Sequence, residues 1–407
     1  MTPLLRIALR NVVRNRRRSL ITFSAVFLAL AVTVSLRGFI NGMVDSIRDA
    51  TVNGQTGALQ VHRVGFSKSV SGSALELDVP ADEAFLERVA AVPGVKAVTA
   101  RIAFGAMVNA HDITSAALFS AMDPARELMV CPQRTEMLTA GTTLDRAGPS
   151  SAVLTGELAA KLGLGLGQAS TLLANDRDGA LNAVEVAYVG TYGQPGLPLP
   201  DKKIGFVPLS LAQELLRMPG RATELAVAIH RPDEVEVMRA RLAETLGPDY
   251  EVATWHELAP WIDQAIATYH RILDLLAGIF LFVAMLGVVN TMLMSVFERG
   301  REIGTMMSIG ARRRQILVLF LLEAALLGLF GGVLGAAVGE GVVLYLGHRG
   351  LELKLGGMSG AMHVYPSMTL GYILLTLSLA TAGAVLAALW PALRASRLRP
   401  VQALASV

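Results

Sequence analysis

The sequence predicts a membrane protein with four transmembrane α-helices and a large α+β domain outside the membrane, between the first and the second helix. Of the 407 residues, 53% are hydrophobic and only 17% are charged, which is too apolar for a soluble domain of this length. The chain contains four apolar segments of about 20 residues or more, the length that a helix needs to cross a bilayer. The long region between the first two segments contains no such stretch.

The charges are divided unevenly along the chain. Residues 44–269 carry 18 of the 36 Lys and Arg residues and 27 of the 33 Asp and Glu residues, so the remainder carries 18 basic against 6 acidic residues. Because Lys and Arg beside a span are retained in the cytoplasm, both termini and the loop between spans two and three are predicted to be cytoplasmic. Residues 44–269 then face outward. No nucleic-acid partner is expected, since the basic residues flank apolar segments.

Residues 1–19 have the pattern of a basic amphipathic helix followed by three arginines. We predict that this segment is an elbow lying on anionic lipid at the cytoplasmic face, and that the first span follows at 20–43. A cleaved signal peptide is the alternative, because Ala29 and Ala31 offer small residues. The length of the basic region and the apolar sequence beyond that site favour a span.

The outward region, residues 44–269, reads as an α+β domain. Alternating residues predict strands over 58–62 and 184–189. Helical periodicity over 82–92, 156–162, 210–217 and 234–246 predicts helices between them. Turn residues over 176–179 and a proline-rich loop over 194–200 separate these elements. The single cysteine, Cys131, excludes an intramolecular disulfide.

The C-terminal third contains the other three spans. We predict span two at 270–297, span three at 316–346 and span four at 370–393, joined by an outward loop at 347–369 and followed by a cytoplasmic tail at 394–407. Span three carries a glycine-rich stripe that permits close helix packing, together with one acidic residue. These packing residues are Gly331, Gly332, Gly335, Gly339 and Glu323. For Glu323 a structural hydrogen bond is favoured over an ion or proton role.

Residues 298–315 form a short polar helix and a turn between spans two and three, predicted to lie at the cytoplasmic face. A row of charges there could contact a partner protein. The stretch from Glu298 to Ile316 resembles the coupling helix of the MacB/FtsX/Lol-type (type VII) ABC permeases. The N-terminal Ile7-Ala8-Leu9-Arg10-Asn11, the segment beginning at Val153 and the C-terminal Pro391-Ala392-Leu393-Arg394 are similar to other parts of this family.

The resemblance implies a bacterial inner-membrane permease that is driven by a separate ABC ATPase dimer and works with a second permease copy, as a homodimer or a heterodimer. Because the chain lacks a G-x-x-x-x-G-K-[ST] phosphate loop, we expect no enzyme activity and no cofactor of its own, with ATP and Mg²⁺ bound by the partner. Residues expected to couple to the ATPase are Glu298, Arg299, Arg301, Glu302, Gly304, Gly310, Arg312 and Arg313.

Three functions remain open. The start of the outer domain, from Gly57, is closest to lipoprotein-releasing permeases, which predicts extraction of lipoproteins from the inner membrane. There are two alternatives. One is export of macrolides or peptides, and the other is mechanotransmission to a periplasmic partner without transport. A periplasmic carrier or adaptor is a further partner, although the short segment 175–182 puts carrier docking in doubt. An apolar substrate cavity between spans one and two is predicted from Phe27, Leu28, Val32, Phe280, Phe282 and Met285.

Conventional catalysis is not expected. No H-E-x-x-H pair occurs, and His256-Glu257 lacks the second histidine that a zinc site of this type needs. The serines near Ser71-Gly72-Ser73 are not in a G-x-S-x-G elbow. We therefore predict neither catalytic nor metal-binding residues.

Overall fold

The computed structural model describes residues 3–14, 16–68, 74–193, 203–353 and 362–398. They form two compact units. The helical unit consists of Met1–Val44, Ile266–Leu351 and Val364–Val407, and the globular unit of Asp45–Ala265 and Glu352–His363. The chain begins with helix α1 (Pro3–Arg14) and continues into the long helix α2 (Arg16–Thr51), which contributes residues to both units.

The globular unit is an α/β domain built around one large sheet. Its strands are β1 (Leu59–Arg63), β2 (Val79–Pro80), β3 (Val95–Ala110), β4 (Ile113–Met122), β5 (Leu138–Gly141), β6 (Ser151–Thr155), β7 (Ala169–Asn175), β8 (Leu181–Tyr192), β9 (Ile204–Pro208), β10 (Arg221–Ala222), β11 (Glu224–Ile229) and β12 (Tyr250–Thr254). Its helices are α3 (Glu83–Ala90), α4 (Pro124–Val130), α5 (Gly156–Leu162), α6 (Leu209–Leu215), α7 (Val235–Leu246) and α8 (Trp255–Leu258).

Across the described residues the strand order of the large sheet is β12-β1-β11-β3-β4-β9-β6-β8-β5, with β7 paired to both β3 and β8. Strands β10 and β2 form a separate pair. The β3–β4 hairpin lies at the centre, and its register runs from Arg101 opposite Met122 to Ala110 opposite Ile113. Side chains alternate along these strands, so Phe104 and Phe119 are buried while Met107 and Leu118 are exposed.

The helical unit contains the remaining helices α9 (Pro260–Glu298), α10 (Gly300–Ser308), α11 (Arg313–Arg349) and α12 (Leu370–Ser396). Between α11 and α12 the short strands β13 (Leu351–Leu353) and β14 (Met362–Val364) pair with each other. Among the described residues, four helices are long and apolar enough to cross a membrane, namely α2, α9, α11 and α12. Their common core combines buried residues of all four helices, including Val34 of α2, Val288 of α9, Phe320 of α11 and Ala388 of α12.

The elements predicted in the outer domain are present in the structure. Strand β8 contains the predicted strand 184–189, and β1 lies one residue later than the predicted 58–62. Helices α3, α5, α6 and α7 begin and end within two residues of the predicted ranges. The turn after Asn175 is tight, because its partner across the β7–β8 hairpin is Leu181. The proline-rich loop over 194–200 lies outside the described residues.

The long helices extend beyond the predicted spans. Helix α2 continues eight residues past the predicted end at Met43, and α9 begins ten residues before the predicted start at 270. Hydrogen bonding within a helix does not depend on apolar side chains, so a helix can continue where an apolar segment stops. The predicted segment 298–315 divides into the end of α9, the helix α10, a turn and the start of α11.

Candidate functional site

The short helix α10 lies between two helices that are long enough to span a membrane. On one face Ile303 and Gly304 are buried, whereas Arg301 is exposed. The helix ends at Ser308, and Gly310 adopts a φ of +105°, which residues with a Cβ rarely adopt. Glycine at this position therefore permits the turn that leads into α11.

The turn after α10 presents an apolar side chain surrounded by basic residues. Ile309 is 83% exposed, more than any other large hydrophobic residue in the described part of the chain. Arg312 and Arg313 are exposed beside it, and the Arg312 backbone N–H donates to Gln315 Oε1 at 2.8 Å, which caps α11.

Behind α10 lies a buried ion pair. Arg299 and Glu323 are 7% and 5% exposed, and Arg299 Nη1 donates to both carboxylate oxygens of Glu323 at 3.1 and 3.2 Å. Asn11 of α1 donates through Nδ2 to Glu323 Oε1 at 2.7 Å. The guanidinium of Arg299 also lies over the Phe320 ring, 5.6 Å from its centroid. One carboxylate therefore joins α1, the start of α10 and α11.

A second, exposed layer of charges surrounds this pair. Glu302 accepts from Arg299 Nε at 3.1 Å and from Arg14 Nη2 at 2.5 Å. Partial burial would raise the pKa of Glu302, but Arg299 and Arg14 outweigh this effect and hold its pKa below the ordinary glutamate value. Glu298 pairs with Arg18 of α2. Charge pairs thus hold α10 to α1 and the end of α9 to α2.

A further ion pair lies at the opposite end of the long helices. Arg37 Nη1 of α2 lies 3.0 Å from Asp274 Oδ1 of α9, and its guanidinium lies over the Tyr372 ring of α12. With a rise of 1.5 Å per residue, Arg18 and Arg37 are ~28 Å apart along α2, close to the ~30 Å thickness of bilayer hydrocarbon. The Arg18 and Arg37 pairs thus enclose an apolar stretch of membrane thickness between antiparallel helices.

The glycine stripe of α11 packs against the backbone of α2. These glycines, spaced four apart on one face, are Gly331, Gly335 and Gly339. A Cβ on Gly335 or Gly339 would lie less than 3.0 Å from the carbonyl oxygen of Phe27 or Ala31. Gly332 approaches α12 as well as α2. The helices therefore approach each other closely only because these positions lack side chains.

The residues predicted to line a substrate cavity occupy two kinds of surroundings. Leu28, Val32 and Phe282 are exposed on α2 and α9. Phe27, Phe280 and Met285 are partly buried. Their role in substrate binding remains a prediction.

The predicted absence of catalytic and metal-binding residues also remains a prediction. Within the described ranges, no group of three His, Cys, Asp or Glu side chains is placed to hold a metal ion. His256 instead pairs with Asp263, with Nδ1 2.8 Å from Oδ2.

Sequence reasoning predicted Arg299, Glu302 and Glu323, the last as a packing residue with a structural hydrogen bond, but it missed two partners. Asn11 and Arg14 belong to the N-terminal helix and meet Glu323 and Glu302 from nearly 300 residues or more away in sequence. The signal for Asn11 was its place on the elbow helix beside apolar residues, where a buried amide needs a partner.

Two family models match the chain. The model of the MacB-like periplasmic core domain matches residues 19–245, and that of the FtsX-like permease C-terminal region matches residues 275–400. The first alone covers more than half of the 407 residues. The two matches follow each other in the order of the globular unit and the C-terminal helices.

Among individual relatives, the macrolide export ATP-binding/permease protein MacB of Hyphomonas neptunium is 31% identical over 208 residues, which are 50% of this chain and 30% of that protein. The uncharacterized ABC transporter permease YknZ of Bacillus subtilis is 46% identical over 92 residues, which are 23% of each chain. The matched segments therefore cover less than a third of these relatives' lengths.

Among solved structures, the periplasmic region of MacB from Actinobacillus actinomycetemcomitans has a TM-score of 0.36 and 12% identity, covering 55% of this chain and 97% of that one. The extracellular domain of the transporter YknZ from Gram-positive bacteria has a TM-score of 0.35 and 14% identity, covering 48% and 99%. These TM-scores are too low to support an argument, so the family rests on the sequence models. On that basis, this chain belongs to the MacB/FtsX-like family of ABC transporter permeases.

Proposed function

We propose that this chain is the membrane-spanning subunit of an ATP-driven ABC system in the bacterial inner membrane, with both termini and α10 in the cytoplasm. A separate ABC ATPase dimer binds ATP and Mg²⁺, contacts α10 and moves it. The helical unit passes this movement outward, where it acts on an amphiphilic substrate. In this proposal the chain binds no cofactor and catalyses no reaction of its own.

The observation that carries the proposal is the combination of an exposed contact surface on α10 and a buried connection behind it. Ile309 and the nearby arginines are free to meet a partner, whereas Arg299 is tied to Glu323 of α11. A push on α10 would therefore be transmitted to α11 and, through Asn11, to α1. A connecting loop without these contacts would absorb such a push.

A second permease copy is part of the proposal. Asn290 is exposed in the C-terminal third of α9, where apolar side chains such as Leu286 and Met294 are exposed as well. An amide facing hydrocarbon is costly, and amides within spans commonly hydrogen-bond to a neighbouring helix. We therefore place the second copy against this face of α9, which leaves membrane lipid as the partner of the remaining apolar surface.

Lipoprotein release from the inner membrane is the substrate class that we propose first. It suits a bundle whose exposed surfaces on α2 and α9, including Leu28 and Phe282, would accept acyl chains without desolvating polar groups. The second candidate is macrolide export, which the names of the curated relatives favour. Mechanotransmission to a periplasmic partner without transport is the outcome that would exclude both.

The contact with the ATPase is tested by Ile309→Asp, with Ile113→Asp on strand β4 as the matched control. Both isoleucines are exposed, at 83% and 43%, but only the first lies beside α10. Burying a charge at the centre of an interface should weaken binding of the co-expressed ABC ATPase by about tenfold or more. Affinity is measured with the chain in nanodiscs. Equal binding by wild type and both variants would exclude α10 as the docking site.

The substrate class is tested by mass spectrometry of molecules that copurify with the chain and its ATPase. Triacylated lipoprotein that is lost when ATP is added would support lipoprotein release. Retention of erythromycin, added as a macrolide probe and released by ATP, would support macrolide export instead. A stoichiometric outer protein without either cargo would favour mechanotransmission.

A further inference from the structure

Helix α2 ends inside the globular unit in an unusual way. Its last turns are followed by a π-helical segment, Val52–Thr56, which stops at Gly57 with a φ of +75° just before β1 begins. Single π-helical turns are rare and often occur at functional positions. The backbone carbonyls of this segment are not left to water, because side chains from the domain bind them.

Two arginines converge on one of these carbonyls. Arg101 Nη1 and Arg134 Nη2 donate to the Gln55 carbonyl oxygen at 2.7 and 3.1 Å. The Val52 carbonyl accepts from the Gly57 N–H at 3.0 Å. Because the acceptors are backbone atoms, this attachment fixes the path of the chain rather than one side chain.

The two arginines share one buried carboxylate. Arg101 binds Glu127 through Nε and Nη2 at 2.9 and 2.7 Å, and Arg134 Nε lies 3.0 Å from Glu127 Oε1. The side chains of Arg101 and Glu127 are only 3% and 1% exposed. Burial alone would raise the pKa of Glu127, but Arg101 and Arg134 outweigh burial and lower it. The carboxylate is therefore charged and holds both arginines in place.

The members of this cluster come from separate elements. Arg101 lies on β3 in the middle of the sheet, Glu127 on α4, and Arg134 on the 3₁₀ segment Pro132–Met137. Glu224 of β11 adds a fourth charge, 3.6 Å from Arg101 Nη1. Desolvation opposes the attraction between charges in a buried cluster of this kind, so we infer that its main effect is to fix one arrangement of these elements.

We propose that Arg101, Glu127 and Arg134 form an anchor that holds the end of α2 on the central strand of the sheet. Movement of the first spanning helix is then passed to the globular domain instead of being absorbed by a hinge over residues 52–58. Arg101 and Arg134 act as positioning residues through the Gln55 carbonyl. The source of the movement rests on the proposed function, whereas the anchor itself does not.

The chain contains a built-in reporter of this anchor. Cys131, the single cysteine of the sequence, is fully buried with Sγ 3.1 Å from Arg101 Nη2 and 3.7 Å from the Val52 carbonyl oxygen. Separation of the end of α2 from the arginines would expose Cys131 to a thiol reagent. The rate of its modification, compared between matched variants, therefore reports opening of the anchor.

The first experiment uses the full chain in nanodiscs, N-ethylmaleimide and whole-protein mass spectrometry. Arg134→Gln should speed modification of Cys131 at least tenfold. Arg126→Gln is the matched control, because Arg126 belongs to α4 but forms an exposed pair with Glu83, and it should react at the wild-type rate. Arg134→Lys keeps the positive charge but lacks the planar guanidinium, so its rate of Cys131 modification should lie between those of wild type and Arg134→Gln. Equal rates for wild type and Arg134→Gln would overturn the anchor.

The second experiment asks whether the anchor transmits movement. Hydrogen exchange of strands β3 and β4 is measured for the chain with its ATPase, without nucleotide and with trapped ATP. In wild type, trapped ATP should change the exchange rate of these strands. Arg134→Gln should lose this change while the rate of ATP hydrolysis stays the same. Arg134→Lys should recover part of it. The same change in Arg134→Gln, or ATP-dependent modification of Cys131 in wild type, would overturn the proposal. If no ATPase binds the wild-type chain, the proposed function fails while the modification experiment still judges the anchor.

Discussion

Replacing Glu323 with alanine tests the buried connection between α10 and the rest of the helical unit. The change removes the carboxylate that accepts two hydrogen bonds from Arg299 and one from Asn11. Both partners would stay where they are, because Arg299 is 7% exposed and Asn11 is 8% exposed. The variant therefore leaves a buried guanidinium whose Nη1 has lost its acceptor, with only the half-exposed Glu302 as a counter-charge.

The expected loss of stability follows from burial. Removing one partner of a buried ion pair typically costs about 3–5 kcal/mol, because the remaining charge is desolvated and uncompensated. Arg14→Ala breaks a pair with Glu302 whose side chains are 54% and 48% exposed, and such surface pairs contribute about 0–1 kcal/mol. The partners left behind, Arg299 and Glu302, are three residues apart in sequence but differ in burial. The comparison therefore tests the effect of burial.

A double variant separates charge from packing. In Arg299→Met with Glu323→Leu both charges are replaced by apolar side chains of similar size. Replacing a whole buried pair is often neutral or stabilising. We therefore expect this variant to recover most of the stability that Glu323→Ala loses, while losing the link between α10 and α11. Stability would return without ATP-dependent transmission.

The measurement is the free energy of unfolding in mixed micelles, followed by circular dichroism as SDS is added. Glu323→Ala should unfold at a clearly lower SDS fraction than wild type. Arg14→Ala should unfold at nearly the same SDS fraction as wild type. A cost of less than about 1 kcal/mol for Glu323→Ala would refute the reasoning. Arg299 would then have to reach water or another acceptor, and the buried pair could not be the connection.

Two further outcomes are expected from the same structure. Gly335→Ala should cost about 1–3 kcal/mol, because its Cβ would meet the backbone of α2, whereas Gly341→Ala on the same helix meets nothing within 4 Å and should be neutral or slightly stabilising in the SDS titration. The lowered pKa of Glu127 contributes stability that is complete above the ordinary glutamate pKa of about 4.3 and is lost as the pH falls through the lower folded value. In Glu127→Gln the free energy of unfolding should therefore fall less steeply with decreasing pH, below about pH 4.3, than in wild type. Identical pH dependence in both proteins would contradict a lowered pKa for Glu127.

Much of the fold could be predicted from the sequence because local signals agree with it. Helix α5 begins and ends at the predicted residues, 156 and 162, where Gly163 adopts a φ of +63°. The extension of α2 to Thr51 was not predictable from hydropathy, because Asp45 and Ser46 end the apolar segment. These polar residues lie outside the predicted span 20–43, yet the helix continues through them.

The candidate site was predictable in its residue types but not in its pairing. The sequence assigned Arg299 and Glu323 to neighbouring segments. Their contact depends on the rotation of α11 about its axis, and the nearly uniform apolar pattern of α11 does not define that rotation. Asn11 is 312 residues from Glu323, a separation across which no local pattern extends. A buried carboxylate must nevertheless find partners, so the need for a pair was evident even though the pair was not.

Close packing limits how the helical unit can respond to a push on α10. At Gly331, Gly335 and Gly339 the backbone of α2 lies directly against α11, so the two helices are closely packed along this face. Displacement of α10 would move α11 through the Arg299–Glu323 pair, and α2 would move with it as one body. With 36 residues, α2 is ~54 Å long and can carry that movement well beyond the hydrocarbon. Single alanines on the glycine face should therefore reduce transmission in proportion to the stability that they cost, whereas substitutions at the exposed Leu334 of α11 should leave both unchanged.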